Sequence, residues 1–168
     1  MALILCFTFS CKDEKTKKEE PNKSLVENND EIAVYNFDEL EPLLYSSDDE
    51  IHIINFWAMW CAPCIKELPY LQAFANKNSN VKLTLVSLDF AQEIETKLKP
   101  FLAKKNIIEK VILLDDPDSN TWIDKIDPSW SGAIPFTIIF NNDKRFYYER
   151  SFENLTDLEN EINKNFNL

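Results

Sequence analysis

Residues 56–69 have the sequence FWAMWCAPCIKELP, in which two cysteines are separated by two residues. The segment before it, residues 51–56, is mostly apolar and indicates a buried strand. Beyond the second cysteine, apolar residues recur at helical spacing at positions 65, 68, 71 and 75. The Cys-x-x-Cys pair is therefore expected at a junction between a strand and a helix, a context in which two thiols carry out redox chemistry.

The start of a helix explains why this pair would be reactive. Its first turn presents unpaired N–H groups and a partial positive charge, which stabilise a thiolate. The pKa of a thiol at this place falls below about 8.5, the value of free cysteine. Cys61 lies at the predicted helix start and Cys64 one turn further along. We predict that Cys61 is the exposed nucleophile and Cys64 the buried resolving thiol. Pro63 suits the first turn because no backbone hydrogen bond is lost there.

Structural zinc binding and a static disulfide are the other uses of such a pair. A structural zinc site needs four ligands. The rest of the chain offers one histidine, His52, and two cysteines near the N-terminus, Cys6 and Cys11. His52 alternates with apolar residues in the predicted strand, and we assign it no role. We therefore predict redox activity and no bound metal.

Length and charge narrow the possible functions. The chain of 168 residues is long enough for one domain and a tail. Its 29 acidic and 18 basic residues give a net charge of −11, which argues against a nucleic-acid partner. Gly132 is the single glycine, so most turns must be formed by Asn, Asp, Ser and Pro.

The N-terminal thirty residues differ from the rest of the chain. Residues 1–10 are mostly apolar but too short to span a bilayer, and they resemble a shortened secretory signal. The sequence TFSC at residues 8–11 resembles a bacterial lipoprotein processing site, at which Cys11 would be acylated, although Phe9 replaces the usual small residue. Residues 11–30 are polar and predict a disordered tether that spans roughly 25 Å. The alternative is a disordered N-terminus with two incidental cysteines.

The globular domain is expected over residues 31–168, with alternating strands and helices. Asp38 and Glu41 are expected to cap the first helix, and Pro69 and Pro100 to kink or interrupt later helices. Strands are predicted at residues 32–37, 51–58, 81–90, 111–114, 136–140 and 145–152, and the other helices after Cys61, at 94–102, around Trp122, and at 155–166. This order predicts an α/β fold with a central mixed sheet and helices on both faces.

Two separated motifs together resemble the thioredoxin superfamily. They are NFWAMWCAPC at residues 55–64 and IPFT at residues 134–137. Within the superfamily the chain is similar to the TlpA/ResA-like thiol–disulfide oxidoreductases, which are exported and often tethered to a membrane. The resemblance covers about residues 31–168 and implies the three-layer thioredoxin-like fold. It also implies a location in the cell envelope, substrates that are protein thiols and disulfides, a membrane electron donor, and no cofactor.

Several roles follow from the resemblance by position. Cys61 matches the attacking thiol, Cys64 the resolving thiol, and Pro135 the cis-proline that faces the disulfide. Trp60 matches the residue that shields the disulfide, and the backbone at Ile134 would pair with an extended substrate segment. The expected substrate groove comprises Trp60, Ala62, Pro63, Ile134 and Trp130, although a packing role for Trp130 is an equal alternative.

Two polar residues near the motif also match the family. Thioredoxin has a buried aspartate at the place of Asn55, whereas TlpA/ResA-like members have asparagine there and a glutamate three residues after the second cysteine. Glu67 occupies that second place, next to Cys64 on the predicted helix. It could take the proton of Cys64 when that thiol attacks the mixed disulfide, and burial would raise its pKa. The alternative is a solvated glutamate that stabilises the first helical turns.

The expected function is a protein-disulfide reductase that acts on envelope proteins such as apocytochrome c through a mixed disulfide on Cys61. Ala62 and Pro63 do not determine the direction of electron flow, so an oxidase that donates disulfides is an alternative. Copper chaperones on this fold use Cys-x-x-x-Cys with a downstream histidine, and peroxiredoxins use Pro-x-x-x-Thr-x-x-Cys; this chain has neither pattern. A redox-inactive lipoprotein that binds a partner is a further alternative, against which the intact Cys-x-x-Cys argues.

Overall fold

The computed structural model describes residues 31–46 and 48–166. The signal-like segment, the whole of the tether and the lipidation site Cys11 lie outside the described residues, and their assignments stay predictions. Within the described ranges, no helix has both the length and the apolar character needed to cross a membrane.

Six strands form one mixed sheet, in which the strand that leads to the cysteines is central. They are β1 (Ala33–Tyr35), β2 (Ile51–Trp57), β3 (Val81–Ser87), β4 (Lys110–Leu114), β5 (Phe136–Phe140) and β6 (Arg145–Tyr148). Their order is β1-β4-β3-β2-β5-β6. The first four strands are parallel to one another, whereas β5 pairs antiparallel with β2, and β6 with β5. Every residue of β2 except His52 is buried, which is why this strand lacks the alternation of a half-exposed one.

Helices cover both faces of the sheet, so the predicted three-layer α/β fold is confirmed. They are α1 (Phe37–Leu40), α2 (Ala62–Lys77), α3 (Lys99–Lys105), α4 (Ser119–Ile126) and α5 (Leu155–Asn165). One apolar core joins the sheet to α2, α5 and the segment that leads into α3. The second core joins the opposite face to α1 and α4.

The first helix begins earlier than the sequence pattern suggested. Asn36 is its N-cap: Asn36 Oδ1 accepts from Glu39 N at 3.0 Å, and Glu39 Oε2 accepts from Asn36 N at 3.0 Å. The predicted cap of Asp38 and Glu41 is therefore wrong. Both pairs have the spacing of a capping box, and asparagine caps as well as aspartate. In the structure Phe37, directly after Asn36, is buried in the second core, whereas the Asp38 side chain is 87% exposed.

The two helical prolines are accommodated without breaking a helix. Pro69 lies inside α2, which continues to Lys77. Pro100 lies in the first turn of α3, where its missing N–H removes no hydrogen bond. The residues before it form a 3₁₀ turn (Ala91–Glu93) and a π-helical segment (Ile94–Leu98) instead of the start of one long α-helix. The helical segment predicted over residues 94–102 thus changes its type directly before Pro100, where the prediction placed an interruption.

Strands β3 and β6 are shorter than predicted, since they end at Ser87 and Tyr148. The residues that follow them leave the sheet and form hydrogen bonds at the carboxyl end of β2 or within α2. These two departures from regular strand structure contribute directly to the site described next.

Candidate redox site

The two cysteines lie at the junction of β2 and α2. Cys61 is the N-cap of α2, and its Sγ accepts a hydrogen bond from Cys64 N at 3.3 Å. The two residues form a disulfide with their Cα atoms 5.3 Å apart. Cys61 keeps 6% of its surface exposed, whereas Cys64 is fully buried. The sulfur of Cys61 is thus the one that a partner reaches first.

The proline motif lies directly beside this disulfide. Strand β5 runs antiparallel to β2 and pairs Phe136 with Phe56, which brings the residues before β5 close to those after β2. The Ile134–Pro135 peptide bond is cis, as the family resemblance implied. Ile134 O lies 3.6 Å from Cys61 Sγ, and Ile134 is only partly buried.

The residues expected to line a substrate groove divide into two groups. Trp60 is 66% exposed, and Ala62 and Pro63 are exposed as well. Trp130 is buried: it stacks on Phe136 with ring centroids 4.0 Å apart, and its indole Nε1 donates to Ala133 O at 2.8 Å. Because both its ring and its N–H have partners inside the protein, Trp130 packs the second core and does not line the groove. Of the two alternatives given by the sequence, the packing role is correct.

Glu67 is a fully buried carboxylate in α2, three residues after Cys64. Its Oε2 accepts from Phe152 N at 2.7 Å, and its Oε1 from Asn55 Nδ2 at 2.9 Å. Burial raises the pKa of Glu67 to about 7, although the hydrogen bonds from Phe152 and Asn55 lower it in part. The alternative of a solvated glutamate is therefore wrong. A carboxyl group with this pKa can both accept and release a proton near neutral pH.

Asn55 connects Glu67 to the strand after the cis-proline. Its Nδ2 donates to Thr137 Oγ1 at 2.9 Å as well as to Glu67. Its Oδ1 is buried and has no hydrogen-bond partner among the described residues. Thr137 and Phe152 were not recognised as site residues from the sequence. The only sequence signal for Thr137 was its place in the IPFT motif. Phe152 contributes its backbone N–H, and a backbone donor has no signature in the amino-acid sequence.

A second buried carboxylate holds the segment between β2 and Cys61. Both oxygens of Asp89 lie 3.1 Å from Met59 N, and Asp89 Oδ2 accepts from Ser87 Oγ at 2.8 Å. Burial raises the pKa of Asp89. Asp89 was not predicted as a site residue, although it is the single acidic residue in the apolar run 81–90. Asp89 fixes the backbone directly before Trp60.

Removal of the Asp89 side chain should destabilise this segment. We expect Asp89→Ala to lower the free energy of unfolding by about 1–3 kcal/mol, because it leaves the partly buried Met59 N–H without an acceptor. Asp89→Asn should lose less, since its amide oxygen can accept from Met59 N and its NH₂ group can donate to Ser87 Oγ. Urea denaturation at pH 7 measures both values, and equal losses for the two variants would contradict this account.

Asp48, Glu50 and His52 form a cluster in which one potential ligand atom of each lies within 4.8 Å of the others. His52 Nε2 lies 2.7 Å from Asp48 Oδ1, and the imidazole stacks on Phe140 with centroids 5.0 Å apart. These contacts already give His52 both a polar and an apolar partner. His52 is the second residue of β2 and the other two precede that strand, so the cluster lies at the opposite end of β2 from the disulfide.

Comparisons with known proteins match the part of the chain that contains the two cysteines. A sequence model of the AhpC/TSA family matches residues 43–149. Sporulation thiol-disulfide oxidoreductase A of Bacillus subtilis is 38% identical over 65 residues, which cover 38% of this chain and 39% of that protein. A thiol-disulfide oxidoreductase ResA of Bacillus cereus is 31% identical over 91 residues, 54% of this chain and 48% of the relative. The chain thus spans less than half the length of either relative.

Among solved structures, a DsbF homologue from Corynebacterium diphtheriae superposes with a TM-score of 0.57. The match covers 70% of this chain and 73% of that one at 21% sequence identity, and so it shows the shared fold alone. The family model, by contrast, matches more than half of the chain and includes both cysteines and the cis-proline. The chain therefore belongs to the AhpC/TSA family, and its sequence is similar to the ResA-type members named thiol–disulfide oxidoreductases.

Proposed function

We propose that this protein is a thiol–disulfide oxidoreductase that reduces disulfides in exported proteins. The observation that carries the proposal is the Cys61–Cys64 disulfide at the start of α2, with its second sulfur buried and Glu67 one helical turn further along. A static disulfide has no need of a buried carboxyl group whose pKa lies near neutrality. The ResA-type relatives add support from sequence.

The first step is attack by the Cys61 thiolate on one sulfur of the substrate disulfide. A bond forms between Cys61 and that sulfur, the S–S bond of the substrate breaks, and the other sulfur leaves as a thiolate that takes a proton from solvent. The N-terminus of α2 stabilises the attacking thiolate, since Cys64 N donates directly to Cys61 Sγ.

The second step releases the substrate. Cys64 transfers its proton to Glu67, and its thiolate attacks Cys61 Sγ. The Cys61–Cys64 bond forms, the mixed disulfide breaks, and the second substrate sulfur leaves as a thiolate. Two electrons have then passed from the dithiol to the substrate. Cys64 and Glu67 lie three residues apart on one helix, which places them on the same side of it.

The substrate segment would lie along the exposed residues around Cys61. Trp60, Ala62 and Pro63 flank the disulfide on one side, and the backbone of Ile134 lies on the other. An extended chain could follow Ile134, as the family resemblance implies. The carbonyl oxygen of Ile134 would lie close to the sulfur of the mixed disulfide.

We further propose that acylation of Cys11 tethers the domain to a membrane in the cell envelope, where a membrane protein supplies electrons and apocytochrome c is one class of substrate. The apolar run that ends at Cys11 and the polar residues after it support this proposal. Cys11→Ser should release the full chain from the membrane fraction of the native host, and unchanged retention would contradict lipid anchoring.

The direction of electron flow is tested by the reduction potential of the Cys61–Cys64 couple. The full chain is equilibrated with glutathione or dithiothreitol mixtures, and the two thiols are quantified by mass spectrometry after alkylation. We expect a value near or below the roughly −270 mV of thioredoxin, which marks a reductant. A value near the roughly −120 mV of DsbA would instead mark a donor of disulfides. If the pair exchanges with neither couple, the protein is not an oxidoreductase.

A further inference from the structure

The segment between β6 and α5 is closed mainly by the carboxylate of Asp157, and a second carboxylate, Glu161 Oε1, lies 3.9 Å from Arg150 Nη2. Arg150 Nη1 lies 2.7 Å from Asp157 Oδ2, and Arg150 Nη2 lies 3.0 Å from Asp157 Oδ1. Glu153 N donates to the same Asp157 Oδ2 at 3.0 Å. Asp157 is itself fixed in the first turn of α5, since its N–H donates to the N-cap Asn154 Oδ1 at 3.0 Å. Asp157 therefore holds both ends of residues 150–153.

The residues inside this closed segment face the redox site. Phe152 is fully buried, and its N–H donates to Glu67 Oε2 at 2.7 Å. The Arg150 guanidinium lies 4.6 Å from the centre of the Phe152 ring, which joins the two residues a second time. Ser151 Oγ lies 3.4 Å from Pro63 O in the first turn of α2. The segment thus links a surface ion pair to the buried carboxylate.

We propose that the Arg150–Asp157 pair positions the Phe152 N–H against Glu67 and thereby sets the pH range in which Glu67 accepts the proton of Cys64. The proposal rests on the function proposed above and adds two positioning residues to it. Asp157 acts through Arg150 and the backbone of Phe152, and Arg150 also adds its positive charge. Neither residue touches the cysteines or the substrate in this mechanism.

The Arg150–Asp157 pair matters for the position of the segment more than for the stability of the fold. Arg150 and Asp157 are both partly exposed, so their attraction contributes little to the free energy of folding. A two-pronged guanidinium–carboxylate contact nevertheless fixes direction as well as distance. That rigidity matters here, because a hydrogen bond to an ionised carboxylate weakens steeply when its donor is displaced.

A small number of groups determine the pKa of Glu67. Burial raises its pKa, whereas hydrogen bonds from Phe152 N, Asn55 and Ser151, together with the positive charge of Arg150, lower it. A looser segment would weaken the Phe152 contact, which favours the ionised form, so the pKa of Glu67 would rise further. Loss of the negative charge of Asp157 would by itself have the opposite effect. An upward shift in an Asp157 variant is therefore opposite in sign to the direct effect of the lost Asp157 charge.

The test compares Asp157→Ala and Arg150→Lys in the full chain with a matched control. Arg150→Lys keeps the positive charge and removes the two-pronged contact. Glu159→Gln is the control, because it removes an ion pair between α5 and α2, Lys77 Nζ to Glu159 Oε1 at 2.8 Å, outside the closed segment. The readout is the titration of the Glu67 carboxyl carbon by NMR in the oxidised protein, assigned by its loss in Glu67→Gln. This readout requires no turnover.

We expect the titration midpoint of Glu67 to rise by about one pH unit, a tenfold change in its ionisation constant, in both Asp157→Ala and Arg150→Lys. It should remain at the wild-type value in Glu159→Gln. An unchanged or lowered midpoint in either of the first two variants would overturn the proposal. Normal titration shifts in a protein that exchanges no disulfides would instead reject the proposed function and leave the positioning role intact.

Discussion

Cys61→Ser is expected to reduce disulfide exchange to below about one thousandth of the wild-type rate, because a thiolate is the nucleophile and a serine hydroxyl is not ionised near neutral pH. Cys61 is the N-cap of α2 and the less buried cysteine of the pair, at 6% exposure against 0% for Cys64, which makes it the point of attack. The measurement is turnover of a model protein disulfide with dithiothreitol as the electron source.

Cys64→Ser should instead trap the intermediate. Cys61 still attacks, but the thiol that resolves the mixed disulfide is missing, so a covalent complex of enzyme and substrate accumulates. Non-reducing gels and mass spectrometry detect that complex. The double variant Cys61→Ser/Cys64→Ser is the matched control, because it retains Cys6 and Cys11 and reports any adduct formed there. An adduct in Cys61→Ser at Cys64, but none in Cys64→Ser, would reverse the two roles.

Glu67→Gln is expected to slow the release of substrate from the mixed disulfide by about 10²- to 10⁴-fold, the usual contribution of a positioned general base. The substitution is nearly isosteric, since the glutamine oxygen can still accept from Phe152 N. Its NH₂ group would face Asn55, whose own amide can turn so that the oxygen accepts. Stopped-flow measurement of the second step separates this effect from the attack by Cys61, which should change little.

The pH dependence of the second step should change in the same variant. Glu67 accepts a proton only when ionised, so the wild-type rate should rise with pH through the pKa of about 7. Glu67→Gln should lack that rise. An identical pH profile in both proteins would show that another group accepts the proton of Cys64.

Stability offers an independent check on Glu67. Its folded-state pKa of about 7 lies above the ordinary value of 4.5 expected in an unfolded chain, so the folded state binds the proton more tightly. The free energy of unfolding should therefore fall as the pH rises from 4.5 to 7, by up to about 3 kcal/mol. Glu67→Gln should not show this fall and should be the more stable protein at pH 8. Urea denaturation of the oxidised proteins at pH 4 and pH 8 tests this, and parallel curves would contradict the buried pKa.

Local patterns predicted the elements whose causes are local. The apolar run of β2, the helical spacing after Cys64 and the Asn-Asn-Asp-Lys turn between β5 and β6 each depend on neighbouring residues. The cis-proline was predicted from the family resemblance alone. No local pattern places Pro135 beside the disulfide, since the pairing of β5 with β2 brings it there. At the first helix only the pair Asp38 and Glu41 was predicted as the cap, whereas the structure uses Asn36 and Glu39, a pair with the same spacing.

Trp130 is a residue whose role the local sequence left open and the tertiary structure decided. Its place before the IPFT motif allowed either a groove or a packing role, and the stack on Phe136 determined the second. The role of Glu67 was also left open, since its spacing from Cys64 suited both a buried general base and a solvated residue. Its burial depends on the segment 150–153 and on α5, both far away in sequence.

The sequence by itself determined that two thiols stand at a strand-to-helix junction, because three-residue spacing and helical periodicity are properties of adjacent residues. Only the tertiary structure decided what surrounds them. Phe152 N reaches Glu67 across 85 residues, and Asp89 reaches Met59 across 30. Both contacts are hydrogen bonds to a buried carboxylate, and burial is a product of the assembled layers. The cysteine chemistry is thus encoded locally, whereas the protonation of Glu67 is set by the fold.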